Sequence, residues 1–311
     1  MSLTCIKPEK LYQKDPKIRP EDVKILQDWL TTQPHLPKIE EFQLIPFLHS
    51  CYYSIEMAKT TIDKYFTART LHPEIFLLPS NDIIKKTCSA VMSHILPKKT
   101  PQGYMIYMGT LVDCPVENYH FTTTMIMLNC VLALYAHLHG FEEGLVLIFD
   151  CKGYTLSHLT RVNLLATKHW LNHLQVVFLV LGGLLNFSFQ EGTPVRIKEI
   201  HIVNITPVMD KVLAIIKPIL SGHLFQMIQL HSSPETLHKY VPKECLPEDI
   251  GGELPPYAIL KDQPLNAILE NLDLIKWHET QTVDESKRTK TDNTIESTFG
   301  AEGTFKKLQI D

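Results

Sequence analysis

Apolar residues recur at helical spacing through the first 95 positions and shift to short strand-like runs near residue 103. Pro20 followed by Glu21 and Asp22 marks a helix start, because proline is pre-set for the first turn and acids favour the positive end of a helix. Val23, Leu26 and Trp29 then share one face. Ser54 stands where a hydroxyl can cap a second helix, whose stripe runs Ile55, Ala58, Ile62, Tyr65. The stretches "HPEIFLLP" and "LPKKTPQG" close this region.

From residue 103 the pattern alternates. "YMIYMG" (104–109) predicts a strand, and 121–138 a mostly buried helix with Met125, Leu128, Leu132 and Tyr135. "GLVLIFD" (144–150) is a continuous apolar run of the kind found in strands covered on both faces. A helix over 156–175, a strand over 195–203, a helix over 207–220 and a strand over 226–231 complete the order. This alternation predicts an α/β fold with a mixed, largely parallel sheet covered by helices. The expected organisation is an N-terminal helical subdomain over 1–95, an α/β domain over 96–260, and a C-terminal helix and tail over 261–311. After about 275, "HETQTVDESKRTKTDNTIEST" has no apolar period and reads as solvated, whereas the terminal "FGAEGTFKKLQID" regains two phenylalanines and can dock on the body.

Composition narrows the function classes. With 311 residues, 44% hydrophobic and 21% charged, the chain has enough apolar content for a substantial core. A net charge of −4 argues against a chain-wide nucleic-acid surface. "MSLTCIKPEKLYQKDPKIRPED" lacks the apolar core of a secretory signal, so the expected location is cytoplasmic. Seven cysteines, odd in number and never spaced CxxC, read as reduced structural thiols rather than a zinc or disulfide framework.

Candidate chemistry is sparse. His169 and His173 in "HWLNH" lie at i and i+4 on one helical face, the spacing of a two-histidine metal site, but no third ligand is evident and the preferred reading is two histidines beside a core stripe. Ser157 and His158 are adjacent, without a GxSxG elbow; Walker and GxGxxG loops are also missing. No catalytic residue, cofactor or metal is therefore assigned. Asp150, closing the apolar strand in "IFDCKG", reads as a structural acid that bonds nearby backbone amides. Arg196 and Lys198 alternate with Val195 and Ile197 and so share one strand face, either as a solvated edge or as an anion or lipid-headgroup patch.

Five ordered segments carry a resemblance: "FLHSCYYSIEMAKTTIDKYFTARTLHPEIF" (47–76), "LIFDCKGYTLSHL" (147–159), "PVRIKEIHIVN" (194–204), "IIKPIL" (215–220) and "LHKYVPKECLPEDIGG" (237–252). Together they resemble the CRAL-TRIO family of lipid-transfer proteins, in its alpha-tocopherol transfer protein-like branch. The resemblance implies a helical subdomain packed on an α/β domain that encloses one apolar lipid cavity. It further implies a mobile gate helix over 206–220 with Val208, Val212, Ile215 and Ile216 on its apolar face. By position, the cavity wall would take Met127, Leu128 and Val131 from the helix 121–138 and Leu145, Leu147 and Phe149 from the central strand. Tyr154, Leu156, Val162, Trp170 and His173 would follow, with Ile197 and Ile200 from the next strand. The alternative for each apolar position is a plain core residue; for His173, the resemblance suggests an imidazole that bonds a ligand hydroxyl or carbonyl. Arg196 and Lys198 match half of the family's phosphoinositide patch, while Cys51 and Met227 stand where the branch has arginines. The implied function is a non-enzymatic carrier of a tocopherol, retinoid or related isoprenoid, with transient contact to anionic membranes and a peripheral place at them. The alternatives are a phosphoinositide-responsive regulatory module and, behind it, an α/β hydrolase.

One stretch does not fit. Val176–Phe189 is a 14-residue apolar run; as a helix it would measure ~21 Å, short of the ~30 Å hydrocarbon core of a bilayer. In the family, a segment like "LNHLQ" leads almost directly into one like "EGTPVRIK", so residues 176–190 are surplus. They are either an insertion forming a longer helix or apolar flap, or an untranslated segment. The second reading is preferred: Val176 can be encoded by a splice-donor GTN, "FSFQ" by a pyrimidine tract ending in CAG, and fifteen residues keep the frame. Transcript sequencing across this junction should give reads that lack codons 176–190; abundant reads carrying them would defeat the artefact.

Overall fold

The computed structural model describes residues 5–112, 115–175, 194–205, 217 and 225–288, with the side chains of Leu159 and 171–175 excepted. The expected gate helix and the run 176–190 lie outside the described residues, as does the chain after 288.

Four helices open the chain: α1 (Pro8–Lys14), α2 (Pro20–Leu30), α3 (Glu41–Ser50) and α4 (Ile55–Leu71). The stripes expected from the sequence meet in one core, where Val23 and Leu26 of α2 pack with Leu44, Phe47 and Leu48 of α3 and Ala58, Ile62 and Phe66 of α4. A capping box between Glu40 and Gln43 starts α3. Ser54 does stand at the N-cap of α4, but its hydroxyl makes no capping bond.

The α/β part is built on a five-stranded sheet of order β1-β2-β3-β4-β5: β1 (Val91–Ile95), β2 (Tyr104–Leu111), β3 (Gly144–Asp150), β4 (Ile197–Val203) and β5 (Ile228–His231). β1 pairs antiparallel with β2, and all other pairs are parallel. β3 sits between two partners, which explains its unbroken apolar run. Met105, Tyr107, Leu145, Leu147, Ile197 and Ile200 bury one face against α6 (Phe121–His139) and α8 (Leu164–Gln175). Ile106, Met108, Val146, Ile148 and Val203 bury the opposite face against the segment from Leu237 to Leu260. By length and composition α6 could cross a membrane; in this fold it is a core helix, with Met125 and Leu128 on the sheet and Ile126 and Leu134 on α5 (Asn81–Ala90) and α11 (Asp262–Glu270) behind it, while the short α9 (Pro234–Leu237) and α10 (Tyr257–Leu260) lie on the opposite sheet face.

Three expectations change. The region through residue 95 is not all helical, because its last five residues form β1, an edge strand whose Ser93 hydroxyl bonds the Tyr107 hydroxyl at 2.7 Å. The helix over 156–175 is broken into α7 (Leu156–Leu159) and α8. Asn163 restarts it as a cap, its side-chain oxygen accepting the Ala166 N–H at 3.0 Å. Finally, the chain after 275 is not solvated as far as residue 288. Val283 enters the helical core, and the Arg288 guanidinium donates two bonds to Asp63 at 2.8 and 2.9 Å.

Asp150 behaves as a structural acid. It is 1% exposed and accepts from the Lys152 N–H at 2.9 Å, the Asn204 amide at 2.8 Å and the Tyr257 hydroxyl at 2.9 Å. Burial and the carboxylate push the Tyr257 phenol far above its ordinary range. A hydrogen bond to a charged group is worth about 1.5–3 kcal/mol, so Tyr257→Phe should lower unfolding stability by that amount in urea titration; no loss would mean that the bond contributes nothing.

Candidate functional site

The apolar layer between the sheet and α6–α8 collects seven of the expected wall residues. Leu128, Leu145, Leu147, Trp170, Ile197 and Ile200 are buried together, with Phe149 packed against them. Period-two alternation in β3 sets Leu145, Leu147 and Phe149 on one face, and a register shift between Ile197 and Glu199 brings Ile197 and Ile200 of β4 to the same face, where they meet the inner stripe of α6. Other expected residues lie elsewhere. Met127 points away from the sheet into the cluster of Ile84, Cys88 and Ile268, and Val131 is buried outside these clusters. Tyr154 packs edge-on to Tyr119 with ring centroids 5.6 Å apart. Val162 is half-buried and Leu156 exposed. The side chain of His173 and all four expected gate residues, Val208, Val212, Ile215 and Ile216, fall outside the described set.

Against this layer lies a cavity of about 60 Å³ between α3, α4, α6, α12 (Leu272–Glu279) and the entry to β4. It shares Phe76, Leu132 and Val195 with the apolar layer, and Phe47 and Tyr65 close it from the helical side. A space of that size has room for a few waters; ligand pockets are typically ~300–1,000 Å³.

The polar groups at this cavity were invisible in the sequence. Arg69 is buried, donates to the His278 carbonyl at 2.8 Å, and lies 5.5 Å from the Tyr65 ring and 5.3 Å from that of Phe76. Its Nε, like Nε2 of His137, has no hydrogen-bond partner among the described residues. His278 Nε2 pairs with the Tyr65 hydroxyl at 3.0 Å. Burial, then the Arg69 charge, holds His278 well below its ordinary pKa, and His137 is lowered by burial. Arg69 and His278 are 209 positions apart, so no local pattern could have paired them.

The two cations expected on one strand face do share a side, but not as a solvated edge. Arg196 is 7% exposed. Its guanidinium lies 4.2 Å from the Tyr52 ring centroid and 5.5 Å from that of Tyr53, and it donates from Nε and Nη2 to the His49 carbonyl at the end of α3. Lys198 is half-buried, reaches the Tyr52 hydroxyl at 3.1 Å, and runs its stem across Gly144, where a Cβ would collide with it. Cys51 is buried against the Thr61 hydroxyl at 3.2 Å, and Met227 packs on the apolar layer. Among the described residues one group has a metal-ligand composition: His72, Glu74 and His169.

Comparison with known proteins bears out the CRAL-TRIO resemblance and the fold class. Residues 184–252 match the CRAL/TRIO domain, and residues 15–79 match the Pinta-like, UBA domain. The chain is similar to Alpha-tocopherol transfer protein-like of Mus musculus, 28% identical over 251 residues (78% of this chain, 68% of that protein). It is 26% identical to the Homo sapiens counterpart over 248 residues, with the same two shares. It is 22% identical to Clavesin-1 of Xenopus laevis over 252 residues (78% and 71%). The solved structure of Sfh5 superposes at a TM-score of 0.42 and 10% identity over 88% of this chain and 100% of that one, too loosely to argue from.

The buried histidines make stability pH-dependent. His49 stacks on Phe141 with centroids 4.0 Å apart, and among the described residues neither of its ring nitrogens has a hydrogen-bond partner. Burial, then the Arg196 charge, lowers its pKa from 6.5 to about 3. Between those values the unfolded chain binds the proton and the folded chain does not, so stability is lost as pH falls from about 6.5 toward 3. One such group contributes a slope of about 1.4 kcal/mol per pH unit, and His137 and His278 act in the same direction. Urea unfolding at pH 7, 6 and 5 should show His49→Phe reducing the slope by one proton; parallel slopes would contradict it.

Proposed function

We propose that this chain is a non-catalytic carrier that takes up one small apolar lipid, of the tocopherol, retinoid or related isoprenoid class, and exchanges it at anionic membrane surfaces. The observation that carries the reading is the apolar layer on one sheet face, where Leu128, Leu145, Leu147, Trp170, Ile197 and Ile200 converge. Such a surface holds a water-insoluble molecule because each Å² of apolar area removed from water contributes ~25 cal/mol. The cavity beside the layer is small, so on this reading α8 moves off α6 to admit the ligand, and the segment 206–220 is the proposed gate. Similarity to proteins named Alpha-tocopherol transfer protein-like supports the class of cargo.

Leu156, Leu164 and Leu165, all exposed on α7 and the start of α8, supply apolar contact for a peripheral membrane encounter. Phosphoinositide selectivity is the weaker alternative, since Arg196 is committed inside the fold and Lys198 alone of the pair reaches toward solvent.

Mass spectrometry of the purified chain should find a co-purifying isoprenoid lipid, and a chain that neither retains nor takes up such lipids would sink the reading. Trp170→Ala should weaken ligand retention about tenfold, ~1.4 kcal/mol. Leu164→Glu with Leu165→Glu should instead slow transfer between vesicles while leaving affinity intact. Phosphoinositide vesicles should bind no better than equally charged phosphatidylserine vesicles.

A further inference from the structure

The sequence offers His169 only a partner four residues along its own helix. The fold supplies different ones, from a segment about a hundred residues earlier. His72 follows α4 directly, Pro73 fixes the next turn, and Glu74 lies in the 3₁₀ turn Pro73–Ile75. His169 approaches from α8, placing its Nδ1 2.8 Å from Glu74 Oε1. His72 Nδ1 lies 3.7 Å from the same oxygen. The two imidazoles stack at 3.8 Å between centroids with 27° between planes, and one ligand atom from each of the three residues falls within 4.8 Å of the others.

We propose that His72, Glu74 and His169 form a binding site for one divalent transition-metal ion of the zinc class, joining α8 to the end of α4. Zinc binds imidazole nitrogen and carboxylate oxygen at ~2.0–2.2 Å, so neighbouring ligand atoms of a tetrahedral site lie ~3.3–3.5 Å apart. The two measured separations, 2.8 and 3.7 Å, straddle that edge, and the stacked imidazoles turn out of their stack to aim both nitrogens at the ion. Two nitrogens and one carboxylate suit zinc, nickel or iron; magnesium and calcium favour oxygen ligands throughout. The side chains are 14%, 42% and 12% exposed for His72, Glu74 and His169, which leaves Glu74 open to solvent as an entry path and a fourth position for water.

Such an ion would act on the apolar layer. Ile75 and Phe76 follow the carboxylate ligand directly, and Trp170 follows the α8 histidine; all three lie in the same buried cluster. An ion at this site therefore holds one wall of the layer against the N-terminal helices.

The test uses the full chain, with zinc and cobalt as probes. Equilibrium dialysis should find one zinc per chain whose affinity falls at least about tenfold in His72→Ala with His169→Ala, and to a lesser extent in Glu74→Gln. Cobalt should give a visible spectrum of nitrogen and oxygen ligation without a thiolate charge-transfer band. Zinc should raise the melting temperature of the wild type but not of the double variant, with circular dichroism confirming that both are folded. Equal zinc uptake by wild type and double variant, or a cobalt spectrum with a thiolate band that survives the double substitution, would overturn the site.

Discussion

The join between the helical region and the sheet depends on a buried cation at a helix C-terminus. The last carbonyls of α3 lie beyond its backbone ladder and carry the negative end of its dipole, and that of His49 already accepts the Tyr52 N–H at 3.0 Å. Arg196, just before β4, donates two bonds to one of them, that of His49. The rings that cover the guanidinium come from Tyr52 and Tyr53, both in left-handed backbone conformation at φ 51° and 67°. That geometry costs ~1–2 kcal/mol per residue for a side chain with a Cβ. It persists because the turn between α3 and α4 must present both rings to one cation while Tyr53 also donates to Asp15 at 2.6 Å. The charge that reads from the sequence as a membrane contact is in the fold an internal fastening.

The legible parts of the chain are those whose signal is periodic and local. β3 is apolar throughout because both of its faces are covered and both of its edges paired. α2, α4 and α6 announce themselves by stripes that all reach a core. β1 was hidden because it is five residues long, includes Ser93 and His94, and sits at an edge. The docking of 276–288 was hidden for a different reason. His278 on Tyr65 and Arg69, a buried valine whose N–H reaches the Thr70 hydroxyl, and an arginine fork on Asp63 hold it, and contacts scattered in this way leave no apolar period to detect. In the candidate site, the burial of Leu128, Leu145, Leu147, Trp170, Ile197 and Ile200 in one cluster was readable by position, whereas Met127, one helical step from Leu128, joins the cluster behind α6. The cavity's polar atoms come from three distant segments, and nothing in the sequence links Arg69 to His137 or His278.

Those polar atoms also constrain which wall of the layer can move. A buried guanidinium with an unbonded Nε is costly unless its surroundings solvate it. Here the His278 carbonyl and the faces of Tyr65 and Phe76 do so. α4, α6 and α12 meet around that charge, with the His137 and His278 rings 4.9 Å apart and Trp277 edge-on to His137 at 5.6 Å. α6 joins this cluster through the His137 ring, and displacing it would break the contacts with Trp277 and His278, so the helix behind the layer is held in place. α8 is held differently. Of its described side chains, Ala166, Thr167 and Trp170 are buried, while Leu164 and Leu165 face solvent. On the proposed carrier reading, an apolar ligand entering the layer would meet less resistance on the α8 side, the wall that carries His169 against His72 and Glu74. Uptake would then be controlled where α8 meets the 3₁₀ turn, with Trp170 holding that wall by its packing in the layer and its indole N–H on Asn129.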